Sequence, residues 1–591
     1  MDSLPADLVR TIRSRVTDQT PPPLLLELDL SRGLVEAPPS SPVQAARTRH
    51  VPVLRQVVEG LAQGATDPRV VGLVAHLGPV QPSLAMAGEL RTAVRRFRAS
   101  GKPAICWTES FGEMGPGNVP YYLATGFDEI WLQPSGDVGL TGVVASSLFV
   151  RDALDRAGVS PEIAQRHEYK TAADVFMRSG MTEAHREMAE RLTASAMESI
   201  VDAVSEGRGL SPNAVRETVE RAPVPAEEAL SLALVDRLGY REDVYAAMLA
   251  EFPDARLRYV ERYRRSFGSG PVRRFATTGR RPVVAVIQAS GPIHLGRPRG
   301  ASPLSGPSIG SEALCANLRA ARKDESVRAV VLRVDSPGGS YVASDAVRHE
   351  VLQVRRTGRP VVASMGSVAA SGGYYIAMPA DVVVANEGTL TGSIGVLAGK
   401  QVIRDALQRF GVRVESVSVG RQAEMFSTQR GFTDDEWQRL QTWLDRVYAD
   451  FTDKAAHDRS LPVDRLREVA KGRVWTGADA RRHSLVDQLG GLDDAIDIAC
   501  ARAGLRRTSV DVRPLPKSPL LRGLRPAQSS DSPAAASAGW LGGSALLGHA
   551  LLDHALPDHA RLGQGLLAQA LRALQLPEYG VLTVPVLWDV R

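Results

Sequence analysis

The chain repeats itself, and that repetition constrains its fold more than any single motif does. Val150-Arg-Asp-Ala-Leu-Asp-Arg-Ala-Gly-Val159 returns as Ile403-Arg-Asp-Ala-Leu-Gln-Arg-Phe-Gly-Val412, and Tyr121-Tyr-Leu-Ala124 returns as Tyr374-Tyr-Ile-Ala377 at the same offset. Gly101-Lys-Pro103 matches Gly358-Arg-Pro360, and Leu234-Val-Asp-Arg-Leu-Gly239 matches Leu485-Val-Asp-Gln-Leu-Gly490. Four matches in one order at nearly constant spacing mark a tandem duplication. The length of 591 residues agrees, because one hydrophobic core stops growing near ~250–300 residues.

Each copy alternates short apolar runs with helical patterns. In the second copy, strands are expected at Val283–Ile287, Ala329–Val334 and Val361–Ser364, and helices at Ser311–Lys323 and Ser344–Arg356. Further helices are expected from Ala370, from Gln401 and from Thr433. In the first copy the strand candidates are Leu24–Leu28, Val70–Leu77 and Ala104–Trp107. Continuous Val/Ile/Leu strands between helices predict an α/β fold with mostly parallel sheets covered on both faces. The expected boundaries are an extension over 1–20, the first copy over 21–250, a basic linker over 251–281 and the second copy over 282–510. A Pro/Ser/Ala/Gly-rich flexible linker over 511–539 and a Leu/Ala-rich amphipathic tail over 540–591 follow. The tail reads as one or two helices over Trp540–Gln575, packed on a partner or laid on a membrane.

Composition narrows the function classes. A net charge of +5 with interspersed signs argues against nucleic acid as a partner. The basic cluster Arg262-Tyr-Arg-Arg265 with Arg273, Arg274, Arg280 and Arg281 reads as a solvated linker, with docking on an acidic membrane as its alternative. Three distant cysteines, Cys106, Cys315 and Cys500, make neither a disulfide framework nor a metal site, which suits a reducing compartment. His549, His554 and His559 are five apart and do not share a helix face, so no metal or other cofactor is expected. No signal peptide is visible. The longest uncharged run, Ser532–Leu552, is interrupted by Ser, Gly and Pro533, so no spanning helix is expected and the location reads as cytoplasmic or peripheral at the cytoplasmic membrane.

Two glycine-bearing turns in the second copy carry the chemistry. Val334-Asp-Ser-Pro-Gly-Gly339 and Ser367-Val-Ala-Ala-Ser-Gly-Gly-Tyr374 each follow a strand and lead into a helix. Acyl transfer needs an exposed hydroxyl, here Ser371, beside backbone N–H groups that can hold an oxyanion. Glycines allow close approach, and a helix N-terminus adds positive potential. Alone, Ser-Gly-Gly is more simply a tight turn. No Gly-x-Ser-x-Gly elbow surrounds Ser371. Gly395-Val-Leu-Ala-Gly-Lys400 is one residue short of a phosphate loop.

Asp335-Ser-Pro-Gly-Gly339, Ala369-Ala-Ser-Gly-Gly-Tyr374, Leu390-Thr-Gly-Ser-Ile-Gly395 and Val474-Trp-Thr-Gly477, with Glu168-Tyr-Lys-Thr-Ala172 and Met181-Thr182 in the first copy, together resemble the signal peptide peptidase A family, also called protease IV, in its long two-domain form. The resemblance spans residues 20 to 505. It implies a fold related to the crotonases and Clp protease, and a serine peptidase with a Ser/Lys dyad divided between the copies. By position, Ser371 falls on the nucleophile, Lys170 on the general base, Gly338 and Gly372 on the oxyanion-hole glycines and Ser393 on a lysine-orienting hydroxyl. It further implies hydrophobic peptides such as released signal peptides as substrates, and a homo-oligomeric, tetramer-like ring or dome. The membrane-spanning N-terminus of some members has no counterpart here, nor has the tail after Arg513 one in the family.

The duplication tests this independently. The Tyr121/Tyr374 register sets Asn118 opposite Ser371, and Gly78-Pro-Val-Gln81 lies opposite Asp335-Ser-Pro-Gly338. The Arg151/Arg404 register sets Lys170 opposite Ala423, give or take one or two residues, with neither Lys nor His in reach. Each copy keeps a different half of one site. Lys170 should then sit desolvated between the copies, since an ordinary lysine pKa near ~10.4 leaves no base at neutral pH. A crotonase-type acyl-CoA enzyme and a non-catalytic membrane-complex scaffold are the alternatives; neither needs Ser371 or Lys170.

Overall fold

A computed structural model describes residues 22–38, 48–263, 281–297, 307–515 and 582–583. Two sheets dominate it, one per copy. The first runs in the order Arg237–Leu238, Glu129–Leu132, Ala104–Thr108, Val70–His76, Leu24–Asp29, Arg256–Tyr259, all parallel. The second repeats that plan with Gln488–Leu489, Val382–Ala385, Val361–Ala370, Val327–Ser336, Val283–Ser290 and Asp511–Leu515. It adds Leu390–Gly392 beside the far end of Val361–Ala370, and Val474–Thr476 antiparallel to that. Both sheets carry apolar clusters on each face, which is why their strands read as unbroken Val/Ile/Leu runs rather than alternating ones.

Matching polar contacts show that the copies share more than topology. Tyr121 Oη donates to Leu234 O at 2.7 Å, and Tyr374 Oη to Leu485 O at 3.0 Å. Asp128 accepts from the Ala104 N–H as Asp381 does from that of Val361. Asp236 and Asp487 likewise accept from Ile130 and Val383, each paired with an arginine, Arg208 or Arg459.

Most expected elements appear close to their predicted bounds. The helix Ser311–Lys323 forms as read, and Thr433 caps Asp434–Asp458 in a capping box with Glu436. Three readings are corrected. Gln401 does not start a helix: Leu397–Val402 is a strand, paired antiparallel with Ser160–Gln165 of the other copy, and the helix begins at Arg404. Local periodicity carries no sign of a partner so distant in sequence. The expected linker over 251–281 begins instead with the edge strand Arg256–Tyr259 on Leu24–Asp29, and Tyr263 is buried with its hydroxyl on Asp67. The linker expected from 511 likewise begins with the edge strand Asp511–Leu515, which ends the second sheet in the same way. Edge strands have one unpaired side, so charged and Pro residues in them are tolerated and mimic a linker composition. The basic residues from Arg264 to Arg280, the uncharged run Ser532–Leu552 and the tail helices expected over Trp540–Gln575 lie outside the described residues. Among the described residues no helix is long and apolar enough to cross a membrane.

The two copies are fastened by charge as well as by the Ser160–Gln165 ribbon. Arg333, fully buried in the second sheet, binds Glu89 and Glu36 of the first copy, and Glu89 also accepts from the Leu492 N–H. On the long helix Glu183–Arg208, Arg191 grips Asp479 and Ser195 meets Thr476.

Candidate active site

Ser371 stands between the strand Val361–Ala370 and the short helix Gly372–Ala377. Its backbone is at φ 56°, ψ −116°, which a residue with a side chain adopts only at a cost of ~1–3 kcal/mol. The surroundings over-determine it: the Ser371 N–H donates to Gly392 O, and Ser371 O accepts from Tyr375. Behind it, a Cβ on Gly372 would lie 3.0 Å from Gly339 N and 3.1 Å from Gly338 Cα. The two glycine turns therefore touch. Gly338 has φ +105°, and its N–H turns toward Ser336 Oγ at 3.2 Å.

Lys170 comes from the other copy, on the loop between the strand Ser160–Gln165 and the one-turn 3-10 helix Thr171–Ala173. Its side chain is 1% exposed. Nζ lies 2.8 Å from Ser371 Oγ, 2.9 Å from Ser393 Oγ and 3.2 Å from Ser393 O. Burial lowers its pKa to about 7, because desolvation penalises the ammonium. A neutral amine in this place can take the Ser371 hydroxyl proton on its lone pair while donating to Ser393. The structure thus brings Lys170, Ser371 and Ser393 together and sets Gly338 and Gly372 side by side next to them.

Sequence reasoning gave no role to two glycines that shape the lysine slot. A Cβ on Gly472 would come within 2.6 Å of Lys170 N and Cβ, and one on Gly395 would meet Lys170 Cδ at 3.2 Å. Gly395 was within reach, as it closes the Leu390–Gly395 motif; Gly472, between Lys471 and Arg473, carries no local signal. Asp335 was likewise passed over. It is half-buried, its pKa is raised to about 6 chiefly by desolvation, and its carboxylate accepts from the Val368 N–H, tying the first glycine turn to the serine strand.

The corresponding positions are put to other uses. Asn118, opposite Ser371, spans Gly142 with both halves of its amide. Gln81, opposite Gly338, donates to Pro116 O. Ala423, opposite Lys170, is exposed.

Peptidase family S49 matches the chain twice, over residues 96–252 and 353–506. The chloroplastic serine protease SPPA of Arabidopsis thaliana is 32% identical over 458 residues, 76% of this chain and 66% of that protein. Protease 4 of Salmonella typhi is 33% identical over 471 residues, 78% of this chain and 73% of the relative. A solved membrane-bound stomatin-specific protease overlaps 40% of the chain at 15% identity with a TM-score of 0.26, too little overlap to weigh. A match repeated in both copies, joined to relatives aligned across both, makes this chain a member of peptidase family S49, of the long protease IV kind.

Proposed function

We propose that this peptidase works through a Ser371–Lys170 dyad assembled from its two copies. Neutral Lys170 removes the Ser371 proton as Oγ attacks a peptide carbonyl. The resulting oxyanion is held by the Gly338 and Gly372 N–H groups, and Ser393 keeps the lysine aligned. Lys170 then gives its proton to the leaving amine, and water, deprotonated by the same lysine, hydrolyses the acyl-enzyme. One observation carries this reading: a lysine made a base by burial alone lies 2.8 Å from a serine hydroxyl on a strained turn. Ser371→Ala and Lys170→Ala should each lower kcat/KM on a fluorogenic peptide by about 10³-fold or more while leaving the fold intact. Full activity in either folded variant would sink the dyad.

The proposed substrates are hydrophobic peptides such as released signal peptides, met in the cytoplasm or at the membrane face. A cavity of about 500 Å³ between the copies, lined by apolar Leu84, Val119, Leu192, Val368 and Leu390 and by polar Gln81, Ser83, Ser367 and Thr476, offers room for a peptide beside the serine strand. Val368 and Leu390 also belong to the small cluster that contains Ala370, beside the serine.

The proposed state is a homo-oligomer, and the duplication supports it. Within the chain, Ser160–Gln165 of the first copy zips onto Leu397–Val402 of the second, burying Pro161 and Ala164. Among the described residues the equivalent half-site of the second copy, 413–418, belongs to no strand, and Val414 and Val417 on it are exposed, as are Val144 and Leu148 of the first copy. The exposed half-site of one chain would then pair with that of the next, a head-to-tail contact that gives a ring where its rotation closes.

A further inference from the structure

Lys170 sits on a loop with two ends. At its start the loop leaves the strand Ser160–Gln165, which is bound to Leu397–Val402 of the second copy. At its far end it runs through Thr171–Ala173 into the short helix Asp174–Met177, where a buried polar chain begins. Asp174 and His185 are both buried. His185 Nδ1 stands 3.8 Å from Asp174 Oδ2, and His185 Nε2 lies 3.0 Å from Oγ of half-buried Ser147. The Gln165 side chain hydrogen-bonds the same carboxylate from the end of the ribbon strand. Desolvation raises Asp174 to about 6 against the pull of Arg178 and Gln165, and desolvation lowers His185 below its ordinary value. At neutral pH a carboxylate therefore faces a neutral imidazole. The tautomer protonated on Nδ1 aims that proton at Asp174 and lets Nε2 accept from the Ser147 hydroxyl.

His185 belongs to the first turn of Glu183–Arg208, with its N–H on Thr182 Oγ1. Further along that helix, Met188 and Leu192 cluster with Ala370 and Val474 beside the serine, and Arg191 and Ser195 bind Asp479 and Thr476. The helix is thus seated on the second copy. We propose that Asp174 and His185 are positioning residues for the general base, pinning the far end of the Lys170 loop to a helix seated on the copy that carries Ser371. The inference rests on the dyad reading above and goes beyond it by naming the groups that keep the lysine in its slot. Val175 and Phe176 also pack there, against Val150, Leu154 and Ile163, but apolar contact is non-directional. A buried carboxylate and imidazole satisfy one another only over a narrow range of placement, so they add register where the apolar cluster adds adhesion.

The test follows from what lowers the Lys170 pKa. Loosening the far end admits water to Nζ, and since desolvation is the cause of the shift, the amine regains basicity. In the full chain carrying Asp174→Ala, the midpoint of the kcat/KM–pH profile on a fluorogenic peptide should rise by about one unit or more, with kcat at pH 7 down about tenfold and KM within about twofold. The deficit should shrink as pH is raised to 9.5. His185→Gln, whose amide can reach the Nε2 position and keep Ser147 while losing the contact to Asp174, should move the midpoint the same way, and it serves where Asp174→Ala does not fold. Asp174→Asn keeps the shape and hydrogen bonding of the group and should leave the midpoint in place. A merely structural role would lower melting temperature, or scale activity by one factor at every pH, with the midpoint unmoved in all three variants; that result overturns the proposal and leaves the dyad standing. An equal displacement in Asp174→Asn would trace the effect to charge rather than placement and overturn it too. A flat profile for the unsubstituted enzyme, or an active Lys170→Ala enzyme, would overturn the dyad and this inference with it.

Discussion

Lys170 owes its reduced basicity to the absence of water rather than to a neighbouring cation. That origin fixes the sign of two pH effects. With its pKa at about 7, the amine is neutral above that value, so kcat/KM should rise through neutral pH to a plateau and stand about tenfold lower one unit below the midpoint. A pH–rate profile on a peptide whose own groups do not titrate there reads it directly; a profile flat from pH 5 to 8 would contradict the lysine base. Stability follows by linkage. The unfolded lysine holds its proton up to its ordinary value of 10.5, whereas the folded one releases it near 7, so between those limits the unfolded chain binds the extra proton and stability climbs with pH. Lys170→Met should therefore abolish activity yet stabilise the fold, on the order of 2–4 kcal/mol at and below neutral pH, the gain fading toward pH 10. Denaturant melts at pH 6.5 and 9.5 would show the difference.

At the scale of elements, the antiparallel ribbon between Ser160–Gln165 and Leu397–Val402 connects the two halves of the site, since Lys170 follows the first strand and Ser393 precedes the second. Its close point is Gly399, where an added Cβ would fall 2.1 Å from Glu162 O and 2.5 Å from Ile163 Cα. Gly399→Val should push the strands apart and lower kcat/KM by ~10²-fold, because displacements near 1 Å cost about that much. Both sheets lie away from this contact, so circular dichroism should stay near native; an active Gly399→Val enzyme would deny the ribbon its positioning role. This ribbon was also the least legible element. The helix Ser311–Lys323 and the strand Val283–Ser290 announce themselves by period and by Val/Ile content, each within its own residues. Leu-Ala-Gly-Lys-Gln-Val402 announces nothing, because its pairing partner lies in the other copy.

For the molecule as a whole, the proposed homo-oligomer would use the second copy's equivalent of the Ser160–Gln165 strand. Val417 corresponds to buried Ala164 but stands fully exposed, and Val414 corresponds to buried Pro161. Val417→Asp with Val414→Asp should dissociate the proposed oligomer to single chains, measured by light scattering, with little change in the single-chain fold because both side chains are exposed on it. An unaltered mass would place the assembly contact elsewhere.

The sequence by itself determined the duplication, the parallel α/β plan and the opposition of Ser371 to Asn118 and of Lys170 to Ala423, while the family resemblance of their motifs implied the roles of Ser371 and Lys170. These are properties of local pattern and of register between repeats, and both can be read along a line. Only the tertiary structure decided that the lysine slot is cut by Gly395 and Gly472, that Gln401 belongs to a strand, and that residues 256–259 and 511–515 close the sheets. Each of these depends on a contact between residues far apart in the chain, whose energy exists only once both surfaces are formed.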